Sequence, residues 1–263
     1  MNGRVVSGPA SQILAQIVAI EMSSSWNVEA LKAQAVATHS YLEFMYNRGT
    51  AAPAVSGRTN PSQKVIDAVS EVSDVIMTYG GMPINAVYTA SAAGYTNPSN
   101  QVWSVTYPYL VSVESKYVYL STGYEKTYTF TAEKLKEIIE SKVDVTLDLE
   151  DCENWISVVD YTDGGYVRRM NIGGATTYNG GKRNITGYYF ATDILARGGT
   201  SLRSAAFTYD YNADTQTFTF VTKGYGHGVG LSQWGAQFYA AYEGWDFRRI
   251  LSHYYTGVTF TTK

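Results

Sequence analysis

Thirteen residues constrain this chain more than any others: Gly224-Tyr225-Gly226-His227-Gly228-Val229-Gly230-Leu231-Ser232-Gln233-Trp234-Gly235-Ala236. Glycines alternate around one histidine, and Ser-Gln-Trp follows at once. Alternating glycine is a poor way to build a helix or a strand. It loses the most backbone entropy on folding and brings no side chain to pack. Backbone at close quarters is required here, against a ligand, in a tight turn, or beside another chain segment. Two readings stand: a ligand site, or a structural turn under a satisfied histidine.

The flanks define the context. Thr217 to Thr222 alternates and is β-rich, so it reads as a strand. Ser232 to Tyr242 is Ala-rich with aromatics at helical spacing and reads as a helix. Strand, glycine-rich turn and helix, in that order, deliver polar groups and helix-start N–H groups to a site.

The rest of the chain reads as α+β. Ser11 is expected to cap a helix running from Ile13 through Ile17, Val18 and Ile20 to Glu21. Ser23 to Asn27 breaks it. Asn27 then caps a second helix, on which Ala30, Leu31, Gln34, Ala35, Ala37, Thr38 and Tyr41 form a stripe of mostly small residues suited to close packing. Residues 50–62 read as a loop and Ile66–Ser73 as a short helix. Residues 75–90 read as a hairpin turning at Gly80-Gly81. A strand and then a helix capped by Thr131 occupy 127–141. Residues 143–223 read as short strands between glycine turns, with a short helix at Thr192–Leu195. A last helix spans Trp245 to Tyr254, before a β-rich tail. The expected architecture is a helical N-terminal region packed on a β-rich body, with a cleft between them. It forms a single domain over 1–263, within which residues 110–215 are a candidate β-rich subdomain.

At 263 residues the chain can bury a sizeable core. Its formal net charge of −3 supplies no basic field for nucleic acid. With 23 tyrosines and only 16% charged residues, the surface is polar but weakly charged, which suits a carbohydrate-like ligand. A single cysteine, Cys152, excludes an internal disulfide and a cysteine-rich metal cluster. No apolar run reaches membrane-spanning length. Met1-Asn2-Gly3-Arg4 is not the start of a signal peptide.

The acidic candidates are Glu21 and Glu29. Glu21 ends the apolar stretch Ile17-Val18-Ala19-Ile20, where partial desolvation would favour the protonated form that a general acid needs. Glu29 falls in the first turn of the second helix, where complementing the helix dipole accounts for it. The histidines His39, His227 and His253 show no ligand spacing, so no metal is expected. There is no Gly-x-Ser-x-Gly nucleophile elbow. His39 and His253 read as hydrogen-bonded core histidines.

Three blocks together resemble the stage II sporulation protein D family of peptidoglycan lytic transglycosylases. The first runs Ile17-Val18-Ala19-Ile20-Glu21-Met22, then Val28-Glu29-Ala30-Leu31-Lys32-Ala33-Gln34-Ala35-Val36-Ala37-Thr38. The second lies within 75–110 and contains Ser91-Ala92-Ala93-Gly94-Tyr95-Thr96-Asn97, Val102-Trp103 and Tyr107-Pro108-Tyr109-Leu110. The third is the glycine-rich run, continued by Ile250-Leu251-Ser252-His253-Tyr254-Tyr255-Thr256-Gly257. The likeness covers nearly the whole chain. It departs from the family pattern at Ser23 for Pro, at Thr38-His39-Ser40 for Ala-Arg-Thr, at Leu231 for Met, and at Ala92-Ala93 for Ser-Gly or Asn-Gly. Some members bind zinc through Cys and His after the second helix. Residues 48–64 here contain neither.

The resemblance implies cleavage of the β-1,4 bond between N-acetylmuramic acid and N-acetylglucosamine, leaving a 1,6-anhydro-muramyl end, without a cofactor. Glu21 falls on the family's catalytic glutamate. Lys32, Gln34, Ser91, Tyr95, Thr96, Trp103, His227, Ser232 and Gln233 are the expected substrate-binding residues. The expected partners are peptidoglycan glycan strands and, beyond them, other cell-wall hydrolases or amidases. An extracytoplasmic location, secreted or membrane-anchored, is implied, with a leader expected ahead of residue 1. The alternative, from amidase-enhancer relatives, is a glycan-binding activator of wall amidases that cuts nothing.

Overall fold

The computed structural model describes residues 1–49 and 55–263; the start of the loop expected at 50–62 lies outside the described residues. In chain order the helices and strands are α1 (Ala10–Glu21), α2 (Val28–Asn47), α3 (Gln63–Ser70), β1 (Val75–Tyr79), β2 (Met82–Pro83), β3 (Tyr88–Thr89), α4 (Ser99–Val102), β4 (Glu125–Thr131), α5 (Ala132–Glu140), β5 (Ile156–Tyr161), β6 (Val167–Ile172), β7 (Thr177–Tyr178), β8 (Arg183–Asn184), α6 (Gly187–Tyr189), β9 (Phe207–Asn212), β10 (Thr217–Lys223), β11 (Leu231–Ser232), α7 (Gln233–Tyr242), α8 (Phe247–Tyr254) and β12 (Thr259–Thr262). The fold is α+β with a helical N-terminal region.

Helix α2 is the hub. Asn27 caps it, its side chain accepting Glu29 N–H at 2.9 Å. From Ala30 to Ser40 every residue but Lys32 is buried, because α1, α3, β1, α7 and α8 all pack on it. Alanine at four of those positions lets the neighbours approach on several sides. Full burial of Leu31 and Val36 contributes about 1.5–3 kcal/mol each. Ser40 Oγ donates to Val36 O at 2.7 Å and accepts Met77 N–H at 2.8 Å, tying α2 to β1.

Strand β1 lies between β2 and the C-terminal β12, both antiparallel. Gly80 and Gly81 make the β1–β2 turn with φ of 59° and 80°. A second three-stranded sheet runs β4-β10-β9, and β5 pairs with β6. Two large hydrophobic clusters form among the described residues, with a small third one around Tyr166, Ala205 and Ala206. One joins α1, α2, α3, β1, α7 and α8; the other is drawn from Tyr128 to Phe220 around the β4-β10-β9 sheet and α5. Trp155 stacks on Phe218 in the second, 5.4 Å between centroids. Among the described residues no helix is long and apolar enough to cross a membrane.

Several boundaries differ from expectation. Pro9, not Ser11, stands at the start of α1, its carbonyl accepting Gln12 N–H at 3.1 Å and Ile13 N–H at 3.2 Å. Helix α3 begins and ends three residues early because Ser62 caps it through Val65 N–H. Asp246 caps α8, so Trp245 stays outside it. The hairpin expected over 75–90 stops at Pro83, and β3 instead pairs in parallel with β11.

Candidate active site

That parallel pair, Leu231 with Tyr88 and Ser232 with Thr89, brings the glycine-rich run alongside residues 87–92. The approach is close. At Gly230, φ is +72° and a Cβ would stand 2.1 Å from the Val87 carbonyl oxygen. At Gly228, φ is also +72° and a Cβ would stand 2.4 Å from Tyr166 Oη. Of the three causes the sequence allowed, another chain segment accounts for these two glycines.

His227 is held by backbone. Its Nδ1 accepts Val229 N–H at 3.0 Å, and the Tyr88 carbonyl is within reach of the ring. Burial pushes the imidazole down to about 4, so it is neutral at pH 7. Asn97 Nδ2 donates to the His227 carbonyl at 3.0 Å, and the Trp103 ring lies 4.9 Å from the imidazole.

Glu21 ends α1, with Ile17, Val18 and Ala19 buried behind it. Gln233 opens α7, placed by the Ser232 cap. Gln233 Nε2 donates to Glu21 Oε2 at 3.3 Å and to Gln34 Oε1 at 3.1 Å. Gln34 Nε2 donates to Thr38 Oγ1 at 3.1 Å, one turn along α2. The Tyr88 phenol stands beside both Thr38 and Glu21. Burial first, and then the Glu21 charge, hold it well above its usual range, while Thr38 pulls the other way. Glu21, Tyr41, Val55, Ser56, Val87, Tyr88 and His227 line one cleft of about 340 Å³. Glu21 is the one carboxyl group among those residues.

The structure thus brings Glu21, Gln34, His227 and Gln233 together. Others stand elsewhere or inside. Ser232 is fully buried, its Oγ accepting Ala92 N–H at 3.1 Å and Gly235 N–H at 3.2 Å. Ser91 is buried and donates to the Ala92 carbonyl at 3.2 Å. Thr96 is buried, accepting Val113 N–H at 3.0 Å and donating to Val111 O at 3.1 Å. Lys32 pairs with Glu29 at 3.0 Å and Glu71 at 2.6 Å. Glu29 also accepts Phe247 N–H at 2.8 Å at the start of α8. Tyr95 is half-exposed, and Trp103 partly so.

Sequence reasoning missed Tyr88, Tyr41, Val55, Ser56 and Val87 as cleft residues. One signal was present: Gln34, Thr38 and Tyr41 recur at i, i+4 and i+7 on a single helical face. Among the described residues no group of three or more His, Cys, Asp or Glu side chains is placed to hold a metal ion.

Comparison with known proteins follows the same lines. Residues 4–79, which carry Glu21, Gln34, Thr38 and Tyr41, match the family described as stage II sporulation protein. The chain is 31% identical to stage II sporulation protein D of Bacillus subtilis (strain 168) over 97% of its own length and 75% of the relative's. It is also 31% identical to stage II sporulation protein D of Bacillus amyloliquefaciens, over 98% of this chain and 75% of that one. A B. subtilis protein named amidase enhancer is 28% identical across 94% of this chain, which spans only 40% of that relative. With identity at this level along almost its whole length, the chain belongs to the stage II sporulation protein D family.

Proposed function

We propose that this chain is a lytic transglycosylase of peptidoglycan, acting outside the cytoplasm as a single catalytic domain. The observation that carries the reading is that Glu21 is the lone carboxyl group among the described residues lining the cleft, held by an amide and beside a phenol. Glycoside hydrolases of the usual kinds place two carboxyl groups about the scissile bond, one of them to activate water or attack the sugar. Internal attack needs one.

In this mechanism protonated Glu21 gives its proton to the glycosidic oxygen, and the bond from muramyl C1 to that oxygen breaks. The muramyl C6 hydroxyl oxygen bonds to C1 and loses its proton to the Glu21 carboxylate. Glu21 ends as it began, no water is consumed, and the products are an N-acetylglucosamine chain end and a 1,6-anhydro-muramyl end. Tyr95 and Trp103, with surface to offer, would touch the glycan. Gln34, Ser91, Thr96 and Ser232, being buried, support the reading only as residues that shape the cleft walls. Lys32 would act through its ion pairs.

The test is mass analysis of purified peptidoglycan, intact and stripped of stem peptides, after digestion by the wild-type chain. Anhydro-muramyl ends, one water lighter than hydrolysis products, are expected. Reducing muramyl ends in their place would make the chain a hydrolase. The likeness to an amidase enhancer favours a second reading, in which the chain binds glycan and stimulates a wall amidase. No glycan product, together with faster amidase release of stem peptides, would establish that one.

A further inference from the structure

Gln34 and Thr38 are uncharged polar side chains with 0% and 1% exposure. Leaving either unpaired would cost about 1–3 kcal/mol. Their hydrogen bonds run in one direction. Gln233 Nε2 serves Gln34 Oε1 at 3.1 Å, and Gln34 Nε2 serves Thr38 Oγ1 at 3.1 Å. With Thr38 Oγ1 accepting from Gln34, its own hydroxyl hydrogen is left to offer, and the Tyr88 phenol, which lines the same cleft as Glu21, stands beside both Thr38 and Glu21. The second hydrogen of Gln233 Nε2 goes straight to Glu21 Oε2 at 3.3 Å. Gln233, by a hydrogen bond, and Tyr88, by its place in the cleft, thus both stand at the Glu21 carboxyl group. Four separate segments meet there: the end of α1, the middle of α2, β3, and the start of α7.

We propose that Tyr88 is a positioning residue for Glu21, aimed by Thr38, so that Gln233 and Tyr88 clamp the carboxyl group from two sides. The role rests on the reading of Glu21 as the acid and base. Two fixed donors hold the carboxyl group in one orientation. They also stabilise the carboxylate left after the proton has gone to the leaving oxygen, since donors to a charged acceptor make the stronger hydrogen bonds. Tyr88 moves no proton itself: burial and the neighbouring Glu21 charge keep the phenol protonated. Such bonds are commonly long before substrate binds and tighten in the complex.

The test uses Tyr88→Phe, Thr38→Val and the double variant in the full chain. Two readouts are followed: glycan cleavage, and the side-chain carboxyl ¹³C resonance of Glu21 at fixed pH. Phenylalanine keeps the ring packing and removes only the hydroxyl. Tyr88→Phe should lower kcat about 10–100-fold, the worth of a hydrogen bond to a charged group, with KM within about twofold. Thr38→Val should lower kcat less, and the double variant should be no worse than Tyr88→Phe alone. The Glu21 resonance should move with the same non-additivity. Additive losses, or an unmoved Glu21 resonance in Tyr88→Phe, would overturn the clamp. If the wild type makes no anhydro product yet the resonances couple, the cleavage reading falls and the clamp stands. Product from wild type with an unmoved resonance in Tyr88→Phe gives the reverse.

Discussion

The backbone N–H of Val229 donates to Nδ1 of His227 at 3.0 Å. A ring nitrogen that accepts must be unprotonated, so the imidazole is neutral with its proton on Nε2. Charging the ring would set donor against donor in a site that burial already disfavours for the cation. Burial holds the imidazole down to about 4, with the Tyr88 carbonyl pulling the other way. The consequence for stability has a definite sign. Above pH 6.5 both folded and unfolded chains carry a neutral ring, and the term is zero. Between 6.5 and 4 only the unfolded chain takes the proton, so stability falls as pH falls.

The term is at most about 3 kcal/mol by pH 4, less in practice because the ring is partly accessible. His227→Gln should be less stable than wild type at pH 7 but show a shallower loss on going to pH 4.5. Denaturant unfolding at the two pH values measures this. His39, also pushed down by burial, contributes with the same sign in both chains and cancels in the comparison. Parallel losses in wild type and variant would show that His227 does not carry the term.

Gly230 and Gly174 make a matched pair. Both have positive φ, +72° and +86°, but a Cβ at 230 meets the Val87 carbonyl at 2.1 Å whereas one at 174 meets nothing within 4 Å. Gly174→Ala should cost only the backbone strain, about 1–2 kcal/mol. Gly230→Ala must also push β11 from β3, and should cost at least about twice as much. Urea midpoints at equal slope would measure both. Equal costs would mean that the β3–β11 contact yields freely.

Much of this was legible in the sequence, and the limits follow a pattern. Local chemistry carried its own signature. Asn27 and Thr131 cap helices as their side chains predict, and Gly80-Gly81 turns a hairpin. Periodicity located β4, β10 and α7 to within two residues. What failed was pairing between distant segments. Nothing local to Tyr88 says that its strand pairs with Leu231 rather than continuing the hairpin from Val75. For the same reason Ser232, Thr96 and Ser91 read as ligand contacts, although in the fold their hydroxyls are taken by backbone. A serine in a glycine-rich turn looks the same whether it faces a ligand or another loop. Gln34 shows the converse, since its burial was visible in the alanine stripe but its partner Gln233 lies 199 residues away.

Glu21→Gln addresses the chemistry directly. The variant amide keeps a carbonyl-type oxygen where Glu21 Oε2 now accepts Gln233 Nε2, so the contact at 3.3 Å can persist. The amide is also neutral and of the same size, so it brings no new charge into a partly buried site. The fold and glycan binding should therefore survive, with the thermal midpoint near that of wild type. Cleavage should not survive, because an amide cannot give up a proton and take one back. Loss of a general acid–base group is typically worth about 10²–10⁴-fold, and here one group performs both halves, so at least the upper end is expected. The measurement is release of anhydro-muramyl ends beside retention on insoluble glycan. Undiminished cleavage would move the acid elsewhere. Glu29 would then be next by position, although its oxygens already serve Lys32 and the Phe247 N–H. Loss of binding together with cleavage would assign Glu21 to holding the glycan rather than cutting it.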